Sequence, residues 1–454
     1  MPITLKWVVY FPPMAWYAEN HLTDAMQRYG LDIGDRTQAF LKGVRWLFPV
    51  AFITRFLTGL ASIAVAVYLG PSNIGLVNLA LAAALWIQIP LFFGTPTSLM
   101  HYIPSADPDK KNVWTSMGLL LMGSCMGLTL LIGAAWSTTW ARLQAIPVQT
   151  FRWALLWCGG FAIFSASTAV ANAWEQFQFR AVLDMLFTGL YLAGLALCYF
   201  LKRLTPLSYV VCMSIGYGIS GLIGLVPQLK KIEFIPGMGF RRISSMMLSY
   251  GAIASLGTVV TALIQSAGRL VANRYLPLSD VGIISMYQSG TMQVSTVLLS
   301  VISQVFFPLA SRTPNKLVLL RKMNRAILLT ILPLSIGLMS IVFLYFKLLG
   351  KHYPFSWSNA GVYAVAALYA LLFSLLSWFL ATFGRKGTLY ASIVGIAVGL
   401  TNWGLCLYCI PRWKVLGAGA ANVMGGGIGI ILCEFVAFLM TNKYLPDKTD
   451  GAPA

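Results

Sequence analysis

The chain has 454 residues, 58% apolar and only 10% charged, with a mean hydropathy of +0.75. An average soluble domain carries roughly 25% charged residues, so a water-soluble enzyme or binding module is excluded. A formal net charge of +19 in a soluble protein would suggest nucleic acid, but here the basic residues flank apolar runs, where membrane lipids with anionic head groups are the partner and no nucleic acid is expected.

The first 42 residues stand apart. An aromatic run from Trp7 to Tyr17, broken by Pro12 and Pro13, precedes a polar stretch with Glu19, Asp24, Asp32 and Asp35. Prolines within the apolar part and the lack of a small-residue cleavage site argue against a secretory signal, so a cytoplasmic segment lying on the membrane surface is expected. Crossing about 30 Å of hydrocarbon takes roughly 20 apolar residues. Twelve such runs follow, near 44–69, 75–100, 113–135, 153–172, 182–201, 207–229, 246–270, 283–310, 326–348, 359–382, 388–410 and 416–441. The sequence therefore predicts an all-α polytopic membrane protein with an N-terminal lobe of six helices over 43–229 and a cytoplasmic linker over 230–245. A C-terminal lobe of six helices over 246–441 and a cytoplasmic tail over 442–454 complete it, the lobes being pseudo-symmetric around a central polar lumen.

A repeated phrase supports the two lobes. Tyr68 onward reads Y-L-G-P-S-N-I-G-L, and Tyr275 onward reads Y-L-P-L-S-D-V-G-I. Tyr68/Tyr275, Leu69/Leu276, Ser72/Ser279 and Gly75/Gly282 are identical at an offset of 207. The phrase reads as a helix stop at proline followed by a start capped by Ser with Asn or Asp. The same offset aligns the apolar runs on either side, and paired repeats are a recurrent plan of secondary transporters.

Lys and Arg orient the chain. With twelve spans, the termini and even-numbered connectors carry 21 of the 32 basic residues, the opposite side carries 9, and two lie within spans. Both termini are therefore expected in the cytoplasm. Lys230, Lys231, Arg241 and Arg242 in the central connector, and Arg312, Lys316, Arg321, Lys322 and Arg325 after the eighth span, read as topology signals.

All seven cysteines fall within spans and read as small apolar packing residues, including the C-x-x-C pair Cys406 and Cys409. With no H-E-x-x-H and no phosphate-binding loop of the G-x-x-x-x-G-K-[ST] type, neither a cofactor nor a metal is expected, and the chain does not read as an enzyme. The glycines Gly425, Gly426, Gly427 and Gly429, inside an apolar span, read as close helix packing.

The chemistry lies in the few polar groups inside the spans. An arginine at the bilayer centre costs roughly 2.5–3.5 kcal/mol on insertion scales, so Arg55 in the first span must face water or a partner. Arg269 is its counterpart in the seventh span, two turns from the position exactly equivalent by repeat, on a stripe with Ser255, Thr258, Ala262 and Gln265. The partner spans add Asn78, Gln88, Thr95 and Ser98 in the second and Gln288, Gln293, Thr296, Ser300 and Gln304 in the eighth. A water-filled cleft lined by spans one, two, seven and eight would accommodate them. Glu434, in the last span, is the candidate carboxylate for proton or sodium coupling. A lumen with excess positive charge draws in anions and repels cations.

The stretch from Gly43 to Pro104, with Arg55, the Y-L-G-P-S-N-I-G turn, Phe93-Gly94 and the closing H-Y-I-P, resembles the amino-terminal region of the polysaccharide transporter, or O-antigen flippase, family. That family shares a superfamily with lipid II flippases and multidrug antiporters. The resemblance implies a V-shaped pair of six-helix lobes in a bacterial inner membrane. By alternating access these would move undecaprenyl-pyrophosphate-linked oligosaccharide outward for O-antigen, capsule or exopolysaccharide synthesis, in concert with the polymerase machinery. It also implies that Arg55 and Arg269 hold the pyrophosphate, with Arg45 and Arg274 at the two mouths. Three alternatives stay open. An ion-coupled multidrug antiporter is disfavoured by the lack of an acid in the middle of the first two spans, and a lipid II flippase by the lack of room for fourteen spans. A scaffold of a polysaccharide export machine is the third.

Overall fold

The computed structural model describes residues 35–229, 232, 240–291, 295 and 316–443. Within them the ordered elements are helices, as the hydropathy of the chain requires, because a backbone in hydrocarbon must satisfy its own hydrogen bonds. Nine of these helices are long and apolar enough to cross a membrane.

The first, α1 (Asp35–Phe92), has 58 residues and would span roughly 87 Å if straight. It breaks instead at Gly70, where φ is 77° and ψ 168°, into arms 35–69 and 71–92. There follow α2 (Thr95–Ser105), α3 (Lys111–Ala135), the short α4 (Ser137–Leu143), α5 (Val148–Ala173), α6 (Phe177–Phe200), α7 (Pro206–Leu229) and α8 (Phe240–Tyr275). A further helix, α9, is described over 278–291, and then come α10 (Lys316–Leu349), α11 (Trp357–Ala381) and α12 (Gly384–Lys443). α12 turns at Lys414, with φ 49° and ψ −125°. Its arms pair antiparallel, Gly417 resting on the Cys409 carbonyl, Gly425 on Asn402 and Gly429 on Val398. Counting each arm of α1 and α12, the nine long apolar helices give eleven crossings among the described residues, and α9 stands at the start of the eighth of the twelve runs expected from the sequence.

Connector contacts show that the helices alternate in direction. On one face Tyr353 donates to the Ala66 carbonyl, Arg274 to Leu143 and Asn273 to Ala145. On the other, His101 stacks on Tyr250 at 4.4 Å, and Trp174 Nε1 donates to Thr115. Large apolar side chains such as Phe200, Leu131 and Leu329 are exposed, as a helix surface facing lipid tails requires.

Three readings from sequence need correction. Proline does not stop the first arm of α1. Gly70 stops it, and Pro71 opens the next arm, where its missing N–H costs nothing. The Asn73 amide does not cap the new helix but donates back to the Leu69 carbonyl. In the second copy the helix opens with the Pro277 carbonyl accepting from the Asp280 and Val281 amides. Element bounds also differ: α1 begins at Asp35 and α8 at Phe240, inside stretches read as terminal segment and linker.

The two copies of the repeated phrase touch each other. A Cβ on Gly75 would strike the Leu278 carbonyl, and one on Gly282 would strike the Pro71 carbonyl. Pro71 and Leu278 are equivalent positions, so the contact is reciprocal, as a pseudo-two-fold axis between the copies demands. From there the second arm of α1 follows α8 along its length. Trp86 Nε1 donates to Ser266 Oγ at 2.9 Å, Gly94 sits against Gly251, and Ser98 Oγ donates to the Met247 carbonyl.

Candidate functional site

The polar groups inside the helices fall into two sets, one on each side of the α1–α8 seam. In the first, Arg55 lies on α1 about 22 Å along the helix from Gly70. Its side chain is exposed, without a hydrogen bond or carboxylate partner among the described residues, and its charge lies within electrostatic reach of the Tyr217 hydroxyl of α7. Arg180 and Asp184 of α6 act on the same hydroxyl. These two are paired with each other in a two-point contact, Nε to Oδ2 at 2.9 Å and Nη2 to Oδ1 at 3.1 Å. Asp184 is thereby occupied, and Arg55 supplies the uncompensated charge. Tyr217 is held in place by rings, stacked on Phe187 at 3.8 Å and edge-on to Phe161 at 5.2 Å.

In the second set Arg269 of α8 donates from Nε to Gln288 Oε1 of α9 at 3.0 Å and lies near Tyr363 of α11. Gly268 makes this approach possible, because a Cβ there would meet the Gln288 amide at 3.1 Å. An amide in place of a carboxylate orients the guanidinium without neutralising it. Beside this contact lies a cavity of about 230 Å³ that includes Gln265, Gln288 and Tyr363 in its wall.

The other expected residues are placed as follows. Arg45 lies on α1 with its side chain outside the described part, and Gln293 is also outside, as are Thr296, Ser300 and Gln304. Arg274 lies in the last turn of α8, bonded to the Leu143 carbonyl. Asn78 is buried and donates to Ile74 one turn back. Gln88 and Thr258 are half-buried. Glu434 is half-buried, and it does not line the cavity. No interaction among the described residues joins Arg55 to Arg269. Sequence reasoning missed Tyr217, Tyr363, Asn402 and Asn422. The two asparagines could have been noticed as lone amides in apolar spans.

A family model described as polysaccharide biosynthesis protein matches residues 40–314. The chain belongs to this family. No curated protein matches the sequence. Among solved structures, it is similar to an inward-facing multidrug resistance MATE transporter of the MOP superfamily, with a TM-score of 0.64 at 13% identity over 87% of this chain and 96% of the other. An outward-facing form of such a transporter gives 0.63 at 14% identity over 89% and 96%. The lipid II flippase MurJ, in an inward closed conformation, gives 0.62 at 14% identity over 89% and 94%. At such identities the likeness shows the fold, which is that of MOP-superfamily transporters.

Proposed function

We propose that this polysaccharide biosynthesis family member is a flippase for undecaprenyl-pyrophosphate-linked oligosaccharide. It works in the bacterial inner membrane with both termini in the cytoplasm and feeds synthesis of a surface polysaccharide. The observation that carries the proposal is an arginine without a carboxylate partner on each side of the seam, Arg55 beside Tyr217 and Arg269 on Gln288. Charge placed within a membrane span is costly unless a ligand or water compensates it, and a diphosphate with two negative groups suits two separated cations. The helices of 43–229 and those of 246–441 act as the two lobes, rocking about the seam between them, while the lipid tails stay in the bilayer.

The drug-antiporter alternative has less support. Asp184 is spent on Arg180, and Glu434 does not line the cavity beside Arg269. Deleting the gene from a cell that makes the polysaccharide tests the proposal. The lipid-linked oligosaccharide should accumulate out of reach of externally added reagents, and surface polysaccharide should fall. Unchanged surface polysaccharide would contradict it.

A further inference from the structure

The cavity beside Arg269 is enclosed by α8, α9, α11 and both arms of α12, and its chemistry is unlike that of an arginine site. Its wall is mainly apolar, with side chains such as Ile264, Leu371 and Phe373, and Thr261, Thr291, Ser295, Ser374, Asn402 and Asn422 set polar groups into it. It reaches the surface at Thr261, which is exposed. Asn402 is only 2% exposed, yet both its Oδ1 and its Nδ2 lack a hydrogen-bond partner, and Asn422 Oδ1 lacks one too. Gly425 leaves the room that Asn402 takes, since a Cβ there would meet Oδ1 at 3.2 Å. A buried amide left unsatisfied costs about 1–3 kcal/mol per group, so such groups in a cavity of this size point to something that enters it. At about 230 Å³ the space is well above the about 30 Å³ share of one water in the liquid.

The wall also says what kind of molecule enters. The hydroxyls of Thr291, Ser295 and Ser374 each donate to a carbonyl one turn back in the chain, which leaves their oxygens as acceptors. Together with the carboxamides of Asn402, Asn422, Gln265 and Gln288, which add NH2 donors to the oxygens, the wall offers donors and acceptors side by side. An anion would use the donors and leave the hydroxyl oxygens, as acceptors, unmatched. A cation binds where carboxylates collect, and none lines this cavity, while Arg269 lies next to it. A neutral ligand bearing several hydroxyls supplies both donors and acceptors. We propose that this cavity is a subsite for one sugar ring of the transported lipid, the ring nearest a diphosphate held at Arg269. The inference rests on the flippase reading, and it adds that the C-terminal helices recognise the saccharide as well as the charge.

The test titrates full-length protein in nanodiscs with two fluorescent probes, polyprenyl pyrophosphate without sugar and the same lipid carrying a disaccharide. Asn402→Leu keeps the branched outline of the side chain, with bulkier ends, and removes both unpartnered atoms, and Thr291→Val removes one hydroxyl at constant shape. Should the leucine variant fail to fold, the valine variant carries the test alone. The expected result is unchanged affinity for the bare lipid, with affinity for the glycosylated lipid about tenfold weaker in Asn402→Leu and a few-fold weaker in Thr291→Val. If both variants bind both lipids as the unmodified protein does, the cavity holds water only and this proposal falls while the flippase reading stands. If the unmodified protein binds neither lipid, both fall.

Discussion

The two arginines differ in how they are held, and that difference predicts different tolerance to lysine. Arg55 makes no hydrogen bond among the described residues and contributes charge alone. Arg269 uses the planar fork, with Nε committed to Gln288. Arg55→Lys should therefore keep part of the transport rate, whereas Arg55→Ala abolishes it. Arg269→Lys should lose most of it, because an ammonium cannot reproduce the Nε contact and still face the ligand. Initial rates in liposomes, normalised to protein incorporated, decide this, and equal loss in the two lysine variants would refute it. Gln288→Leu should leave the Arg269 Nε without its acceptor and lower stability by about 1–3 kcal/mol, read as a fall in the thermal midpoint. Both arginines were legible in the sequence because a charge in an apolar run has no cheap explanation. Tyr217, Tyr363 and Asn402 were not. Phenols and amides are ordinary in membrane helices, and which way each points depends on the rotation of its helix against neighbours that the sequence does not identify.

At the scale of elements, run length was sufficient to count the crossings, since hydrocarbon thickness fixes how many apolar residues each needs. It did not locate the breaks, because the same phrase is compatible with a stop at proline or at the preceding glycine. Only backbone geometry separates them, with φ 77° at Gly70. The repeat itself was legible, but not that its two copies meet. Gly75 and Gly282 rest on each other's opening turns with no room for a Cβ. Gly75→Val or Gly282→Val should therefore drive the two turns apart, at a cost of about 1–3 kcal/mol. The spread is measurable as a longer distance between spin labels placed at Ser72 and Ser279. An unchanged distance in both variants would mean that the contact is not needed to close this end.

For the whole molecule, composition and charge pattern established the class, and the fold agrees with it. What they could not supply was the arrangement of helices around the seam, which depends on glycine contacts such as Gly94 on Gly251 and on Trp86 reaching Ser266. The sequence placed Arg55 and Arg269 in one lumen. The structure sets each among the helices of its own side, so the substrate must bridge them or pass from one to the other as the lobes rock. The direct measurement is reconstitution into liposomes carrying a fluorescent polyprenyl-pyrophosphate oligosaccharide in one set and a fluorescent cationic drug in another, followed by the accessibility of each from outside over time. The account predicts protein-dependent exposure of the lipid-linked sugar, reduced to background in Arg55→Ala, with no movement of the drug. Movement of the drug alone would contradict it and place the activity with the antiporters.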